Sequence, residues 1–429
     1  MSDDAIFTKC AWRLIPFMGL LYVVSFIDRA NVAFAALTMN KDLGFSPTVF
    51  GFGTGIFFIG YMLCLVPSNL ILERMGARRW VFCIMAVWGT LSAAGALASN
   101  PLSFYLLRFF LGVAEAGFFP GMLLYLTYWF PRPYRARFTA NFMAAIPLSF
   151  AIGGPLASIV LQMDRIAGLS GWQWLFIVEG TPAILLAFLV LKLLPDGPMH
   201  APWLSHEEKE TIAARLAADQ GSKHGEVWPV FRDPHVLMLG FAYIGLYAAI
   251  YGVTLWLPQI VQGMGFSNLA TGFVVALPFA VSVLAMVLVG RSSDVQGERI
   301  WHVVAPLGFA ALCLFMASLG SLDLVVLFAL SGAMIAIYGC FGPFFCLPSL
   351  FLSGTAAAVG IAFINAIANL GAFLGPYLIG VLNERTGNYS LSMAVLGGGL
   401  VISALIIVAL GQAIAPSAQR VATESKGHA

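Results

Sequence analysis

Along its whole length the chain is divided into apolar runs of about twenty residues, separated by short polar or Gly/Pro punctuation. That period fixes the fold class. Roughly 20 apolar residues is the length at which an α-helix crosses the ~30 Å hydrocarbon core of a bilayer, whereas a barrel strand needs only about ten residues of alternating polarity. Twelve runs can be placed, at about 14–37, 49–72, 80–98, 102–129, 138–162, 173–194, 235–261, 270–290, 301–319, 323–346, 355–382 and 389–412, numbered here as spans 1 to 12. The expectation is an all-α membrane protein with twelve transmembrane helices. A hydrophobic content of 60%, only 10% charged residues and a mean hydropathy of +0.89 exclude a water-facing surface over most of the chain.

The only long polar insert, 195–234, separates six spans from six, giving an N-terminal half over 1–194, a linker over 195–234 and a C-terminal half over 235–429. Of the 22 Lys and Arg residues, seventeen lie in the loops on the side that holds both termini and three on the other, so both ends are expected in the cytoplasm. The opening "MSDDAIFTKCAWR" has no small-residue cleavage site, and span 1 is expected to stay as a helix. In the linker, Ser205 and Glu208 have capping-box spacing ahead of "SHEEKETIAARLAAD", which predicts a short solvated helix.

A net charge of +2 with no basic face gives no ground for nucleic-acid binding. The six cysteines form no CxxC pair and lie near or inside apolar runs, so they read as small hydrophobes rather than disulfides or ligands. The six histidines show no metal-binding spacing, and no GxxxxGK[ST] loop is present to hold a nucleotide. No metal, no cofactor and no enzymatic chemistry are expected.

The loops repeat. "NLILERMGARR" follows span 2 and "GRSSDVQGERI" follows span 8, and Asn69/Gly290, Glu73/Asp294, Gly76/Gly297 and Arg78/Arg299 pair at one offset of 221 residues. Two matched six-helix halves suit alternating access, in which one half rocks against the other around a central site. In each loop an acid at a helix end, flanked by Arg, can latch the cytoplasmic side by charge; the gate residues are Glu73, Arg74, Arg78, Asp294 and Arg299. The second loop resembles the Gly-x-x-x-Asp-x-x-Gly-x-Arg signature of major facilitator transporters, and the first is a variant with Asn69 for Gly and Glu73 for Asp. Through "FIDRANVAFAAL", "PSNLILERMGARRW", "LLRFFLGVAEAGFFPGMLLYLTYWFP", "GWQWLFIVEGTPA", "YGVTLWLP" and "LPSLFLSGTAAAVGIAFINAIANLGAFLGP", the chain resembles the anion:cation symporter family. That resemblance implies the major facilitator fold and carriage of an anion such as tartrate, a sugar acid or an aromatic acid.

Four charges lie inside spans 1 and 4, where each costs at least ~2.5–3.5 kcal/mol. With a rise of 1.5 Å per residue, Asp28 lies about 21 Å along span 1 from the cytoplasm. Arg108 and Glu115 lie about 9 and 20 Å into span 4 from the outside. Asp28, Arg29, Arg108 and Glu115 thus share the middle-to-outer zone, and they sum to zero charge. Neighbours in sequence on a helix, Asp28 and Arg29 point about 100° apart, so one can face a cavity and the other span 4. Asp28 and Glu115 are the candidate proton carriers. Arg29 is the candidate fork for a substrate carboxylate. Two roles are open to Arg108, binding anion or holding Glu115 ionised. The competing reading of the four charges is an ion-pair cluster that only fixes helix packing. The family resemblance implies site roles for Asp28, Arg29, Tyr61, Arg108 and Glu115, and a substrate hydrogen bond for Asn365.

In span 11 Asn369 lies one turn beyond Asn365 and can bind substrate or a neighbouring helix. Tyr247, Tyr251 and Trp256 of span 7 can line the second half's wall or serve as core or interfacial aromatics. Glu179 of span 6 reads as a structural hydrogen-bonding group rather than a transport residue. The function expected is import of a small organic anion with protons, by a monomer in the lipid bilayer of the bacterial inner membrane. The alternatives are a proton/drug antiporter of the same fold and a non-transporting receptor or scaffold.

Overall fold

The structure, a computed structural model, describes residues 3–219, 228–352 and 354–426. Twelve of its helices are long and apolar enough to cross a membrane: Asp3–Leu43, Pro47–Leu65, Ala77–Leu97, Pro101–Thr127, Ala145–Met163, Gly171–Leu193, Pro234–Gly263, Asn268–Gln296, Trp301–Leu319, Asp323–Leu350, Val359–Thr386 and Ser390–Ile414. They correspond one to one with spans 1 to 12. The largest boundary difference is in span 1, whose helix begins at Asp3. Its first turns are polar but amphipathic, with Ile6, Phe7 and Cys10 buried, so an apolar-run criterion cannot find them.

Helix starts follow the local sequence. Ser46 caps span 2 through a bond from the Val49 amide to its Oγ at 3.3 Å, with Pro47 at the first helical position. Asn100 and Ser103 form a capping box at the start of span 4, again with Pro at the first position. Ser170 and Gln173 do the same for span 6.

Two compact units emerge: residues 1–222 with 254–280, and residues 223–253 with 281–429. In the first unit, spans 2 and 4 pack backbone to backbone. A Cβ at Gly112 would lie 2.0 Å from the Phe57 carbonyl oxygen, and one at Gly60 would lie 2.3 Å from that of Phe109. Only glycine permits this approach, and it sets Arg108 and Glu115 beside Phe57 and Tyr61. Spans 3 and 6 cross in the same way at Gly89 and Gly180, whose added Cβ atoms would lie within 2.9 Å of each other's backbone oxygens. The C-terminal end of span 7 and the N-terminal end of span 8 belong to this unit. There Trp256, 1% exposed, meets Phe50 edge to face at 5.1 Å, and Asn40 donates to Gln259 at 3.1 Å. Trp256 is therefore a core residue.

In the second unit Gly371 and Gly375 of span 11 bring that helix against the Ile244 and Ala248 carbonyls of span 7; an added Cβ would lie 2.1 Å from either. Spans 4 and 10 both break a little past their midpoints. The helix of span 4 is interrupted after Glu115, where Pro120 supplies no N–H for the Ala116 carbonyl, and that of span 10 at Cys340, near Pro343.

The linker helix, His206–Asp219, docks on the first unit. Lys9 donates to both Glu208 oxygens at 2.8 and 2.9 Å, Arg215 pairs with Asp3, and Trp203 stacks on Trp129 at 5.6 Å. Ser205 and Glu208 form a reciprocal capping box, with bonds of 2.8 and 3.2 Å. Those bonds from Lys9 and the Ser205 amide hold the Glu208 carboxyl below its ordinary value.

Candidate functional site: a buried charge cluster in the first unit

Asp28 and Arg29 are adjacent on span 1, and their side chains diverge as helix geometry requires. Arg29 reaches span 4. Its Nε and Nη2 both donate to Glu115 Oε2, at 3.0 and 2.6 Å. The guanidinium carbon lies 4.8 Å from the Phe26 ring centre and 5.2 Å from those of Phe57 and Tyr61, so an aromatic cage surrounds the cation on three sides. Asp28 turns the other way, toward span 3. Its Oδ2 accepts from Trp88 Nε1 at 2.8 Å, and its Oδ1 accepts from Asn31 Nδ2 at 3.0 Å and from the Ser92 hydroxyl.

Arg108 is 3% exposed, and Asp28 and Glu115 are 0% exposed. Its guanidinium carbon sits 5.0 Å from the Phe57 ring centre, on the ring that Arg29 also contacts. Among the described residues Arg108 Nε and Nη1 have no hydrogen-bond partner, and neither has Glu115 Oε1. Glu115 is thus engaged by Arg29, and Arg108 retains unspent donors inside the protein. A buried guanidinium with free N–H groups has the donors to take an anion, because those donors stay unsatisfied until an acceptor enters.

The remaining sequence-selected residues fall in separate places. In the second unit Tyr247 donates to Asn365 Oδ1 at 3.3 Å, with Tyr243, Tyr247 and Tyr251 forming an aromatic column along span 7. Asn369 spends its amide on its own helix, donating to the Asn365 carbonyl at 2.8 Å. In the loop after span 8, Arg299 pairs with Asp294 at 2.6 Å and donates to Ser293 Oγ at 2.8 Å. Arg78 turns to Asp196 instead: its amide donates to Oδ1 at 3.0 Å and its Nε lies 3.9 Å from Oδ2. Arg74 is exposed, and the Glu73 and Asn69 side chains lie outside the described residues.

Sequence reasoning missed Phe57, Trp88, Ser92 and Asp196. Phe57 lies one turn before Tyr61 on the same face, a signal present in "FFIGY". Trp88 and Ser92 are likewise one turn apart in span 3, but nothing in an apolar run marks them as partners of an acid. Glu179 was expected to hydrogen-bond a neighbouring helix; it is 3% exposed, and neither of its oxygens has a partner among the described residues.

A twelve-helix membrane protein whose interior holds paired and unspent charges beside an aromatic cage is a transporter rather than an enzyme. The chain belongs to the Major Facilitator Superfamily, whose family profile matches residues 18–376. A protein from Agrobacterium vitis named "Putative tartrate transporter" is 45% identical, over 98% of both chains. The metabolite transport protein NicT of Pseudomonas putida, also named as putative, is 41% identical over 95% of each, and the quinolone resistance transporter of Acinetobacter baumannii is 40% identical over 92% of this chain and 94% of that one. The fold matches the crystal structure of a D-xylose–proton symporter with a TM-score of 0.75, over 92% of this chain and 97% of that one, at 15% identity.

Proposed function

We propose that this protein imports a small organic carboxylate together with protons, by alternating access, as a monomer in the bacterial inner membrane with both termini in the cytoplasm. The observation that carries the reading is the engagement of Arg29 by Glu115 beside an Arg108 with unspent donors. An arriving carboxylate competes with Glu115 for Arg29, and a proton on Glu115 removes the competitor. Binding of anion and proton then favour one another.

The charge balance supports the same coupling. Asp28, Arg29, Arg108 and Glu115 sum to zero, and one proton for each negative charge carried keeps that sum. An anion moving alone against a negative interior opposes about 2.3 kcal/mol per charge per 100 mV. Asp28 serves as the second proton-binding acid. Tyr247 and Asn365 contribute polar contacts to the substrate, and the Asp294–Arg299 pair, with Arg78 and Arg74, contributes to the cytoplasmic gate. Tartrate is the first substrate to try, since relatives at 45% identity bear that name.

Proteoliposome uptake of labelled tartrate and other small carboxylates under an acid-outside gradient tests the proposal. Accumulation that collapses with a protonophore is the expected result. Expulsion of a quinolone under the same gradient, with no carboxylate accumulation, would replace it with the second reading, drug export. The 40%-identical quinolone resistance transporter favours testing that arm directly.

A further inference from the structure

Span 6 carries an acid that the scheme above leaves unused. Glu179 lies where spans 1, 3 and 6 meet. Span 3 supplies Trp88 and Ser92 to Asp28, and a Cβ at Gly180, the residue after Glu179, would sit 3.2 Å from the Ser92 Cβ and 2.7 Å from the Ala93 amide nitrogen. Glu179 and Asp28 thus approach one short segment of span 3 from two sides. Among the described residues no arginine or lysine, and no other donor, hydrogen-bonds to either Glu179 oxygen. Asp28 itself is faced by Glu115 and Arg108.

The two acids are solvated in opposite ways. Asp28 accepts from an indole N–H, an amide N–H and a hydroxyl, which together satisfy a carboxylate. Glu179, equally buried, accepts from nothing among the described residues. An ionised carboxylate sealed away from water without donors is far costlier than its neutral acid, and a second negative charge nearby raises that cost.

We propose that Glu179 is a proton-binding residue of the transport cycle, forming with Asp28 a carboxyl pair that holds one exchangeable proton. In this conformation the three donors favour the ionised form of Asp28 over that of Glu179, and the proton resides on Glu179. When those donors are withdrawn the proton passes to Asp28, the pair keeping a charge of −1 through that transfer, and it leaves the pair from Asp28 when it is released. The role in coupling rests on the symport reading; the occupancy of the proton site does not.

Two measurements on the full chain in liposomes test this separately. Dicyclohexylcarbodiimide reacts with protonated carboxyls in apolar surroundings, and mass spectrometry after labelling should find the adduct on Glu179, falling as pH rises. No adduct there at any pH, or a pH-independent one, overturns the proposal. Gradient-driven tartrate uptake is then compared across pH for wild type, Glu179→Gln and Glu179→Asp. The Gln variant should lose about tenfold in accumulation for each pH unit of gradient, the share of one coupled proton, with Asp restoring most of it. A Gln profile that superimposes on wild type, or equal impairment by Gln and Asp, reduces Glu179 to a packing residue and overturns the proposal. Absence of gradient-driven uptake in wild type refutes the tartrate symport reading alone, and the labelling still decides Glu179.

Discussion

Replacing Glu115 by Gln should tighten carboxylate binding, an unusual direction for a mutation at a buried ion pair. In the wild type the incoming carboxylate must displace Glu115 Oε2 from two bonds of Arg29, at 3.0 and 2.6 Å. Hydrogen bonds to charged groups contribute about 1.5–3 kcal/mol, and a neutral amide in the same place contributes about 0.5–1.5 kcal/mol. The substrate therefore competes against roughly 1–1.5 kcal/mol less in the variant, which corresponds to binding about 5–15-fold tighter. The Gln side chain cannot titrate, so the share of the pH dependence that Glu115 supplies is lost: wild-type affinity falls as pH rises and Glu115 ionises, and the variant's falls less steeply. Isothermal titration of the purified protein with tartrate across about pH 6–8, where a simple carboxylate remains ionised, reads both effects. The apo variant, with a partly uncompensated Arg29, should be less stable and should gain more from ligand in a thermal-shift assay. Weaker binding in Glu115→Gln, or unchanged affinity that keeps the wild-type pH slope, would refute the competition on which the proposed coupling depends.

Arg29→Lys keeps the charge but cannot donate twice to one oxygen or lie flat among Phe26, Phe57 and Tyr61; tartrate affinity should fall by about 2–3 kcal/mol, roughly 30–150-fold, in the same titration. Gly112→Ala places a methyl group 2.0 Å from the Phe57 carbonyl oxygen, so spans 2 and 4 must separate. A loss of about 1–3 kcal/mol follows from such overpacking, measurable as reduced thermal stability in detergent with uptake falling in parallel. The linker's docking should be acid-sensitive. Glu208 is held below its ordinary value by the bonds from Lys9 and the Ser205 amide, so the stability it contributes is present above that ordinary value and is lost as pH falls through the lowered one. Fluorescence of the stacked Trp203–Trp129 pair should change over that acid range, and Lys9→Ala should remove the transition.

How far the sequence reaches depends on the length scale of the physics behind each signal. Span number was legible because the bilayer imposes a length on every helix, independent of what that helix touches. The charge cluster was legible as an inventory for a related reason: charge in an apolar run is costly wherever it points, so Asp28, Arg29, Arg108, Glu115 and Glu179 declare themselves before any contact is known. Pairing is a different kind of information. Whether Glu115 meets Arg29 or Arg108 is decided by how spans 1, 2 and 4 seat against one another, which in turn rests on Gly60 and Gly112 approaching carbonyls on the facing helix. Those glycines look the same in sequence as Gly19 or Gly308, whose Cβ positions meet nothing within 4 Å. The same gap separates the two acids that sequence treated differently. Asp28 was placed in the transport chemistry and Glu179 in a structural hydrogen bond, yet the donors from span 3 go to Asp28 and none of the described residues donates to Glu179. A residue whose sequence setting suggests a satisfied core group can thus be the one left with a proton to carry, and only the location of its neighbours' N–H and O–H groups separates the two cases.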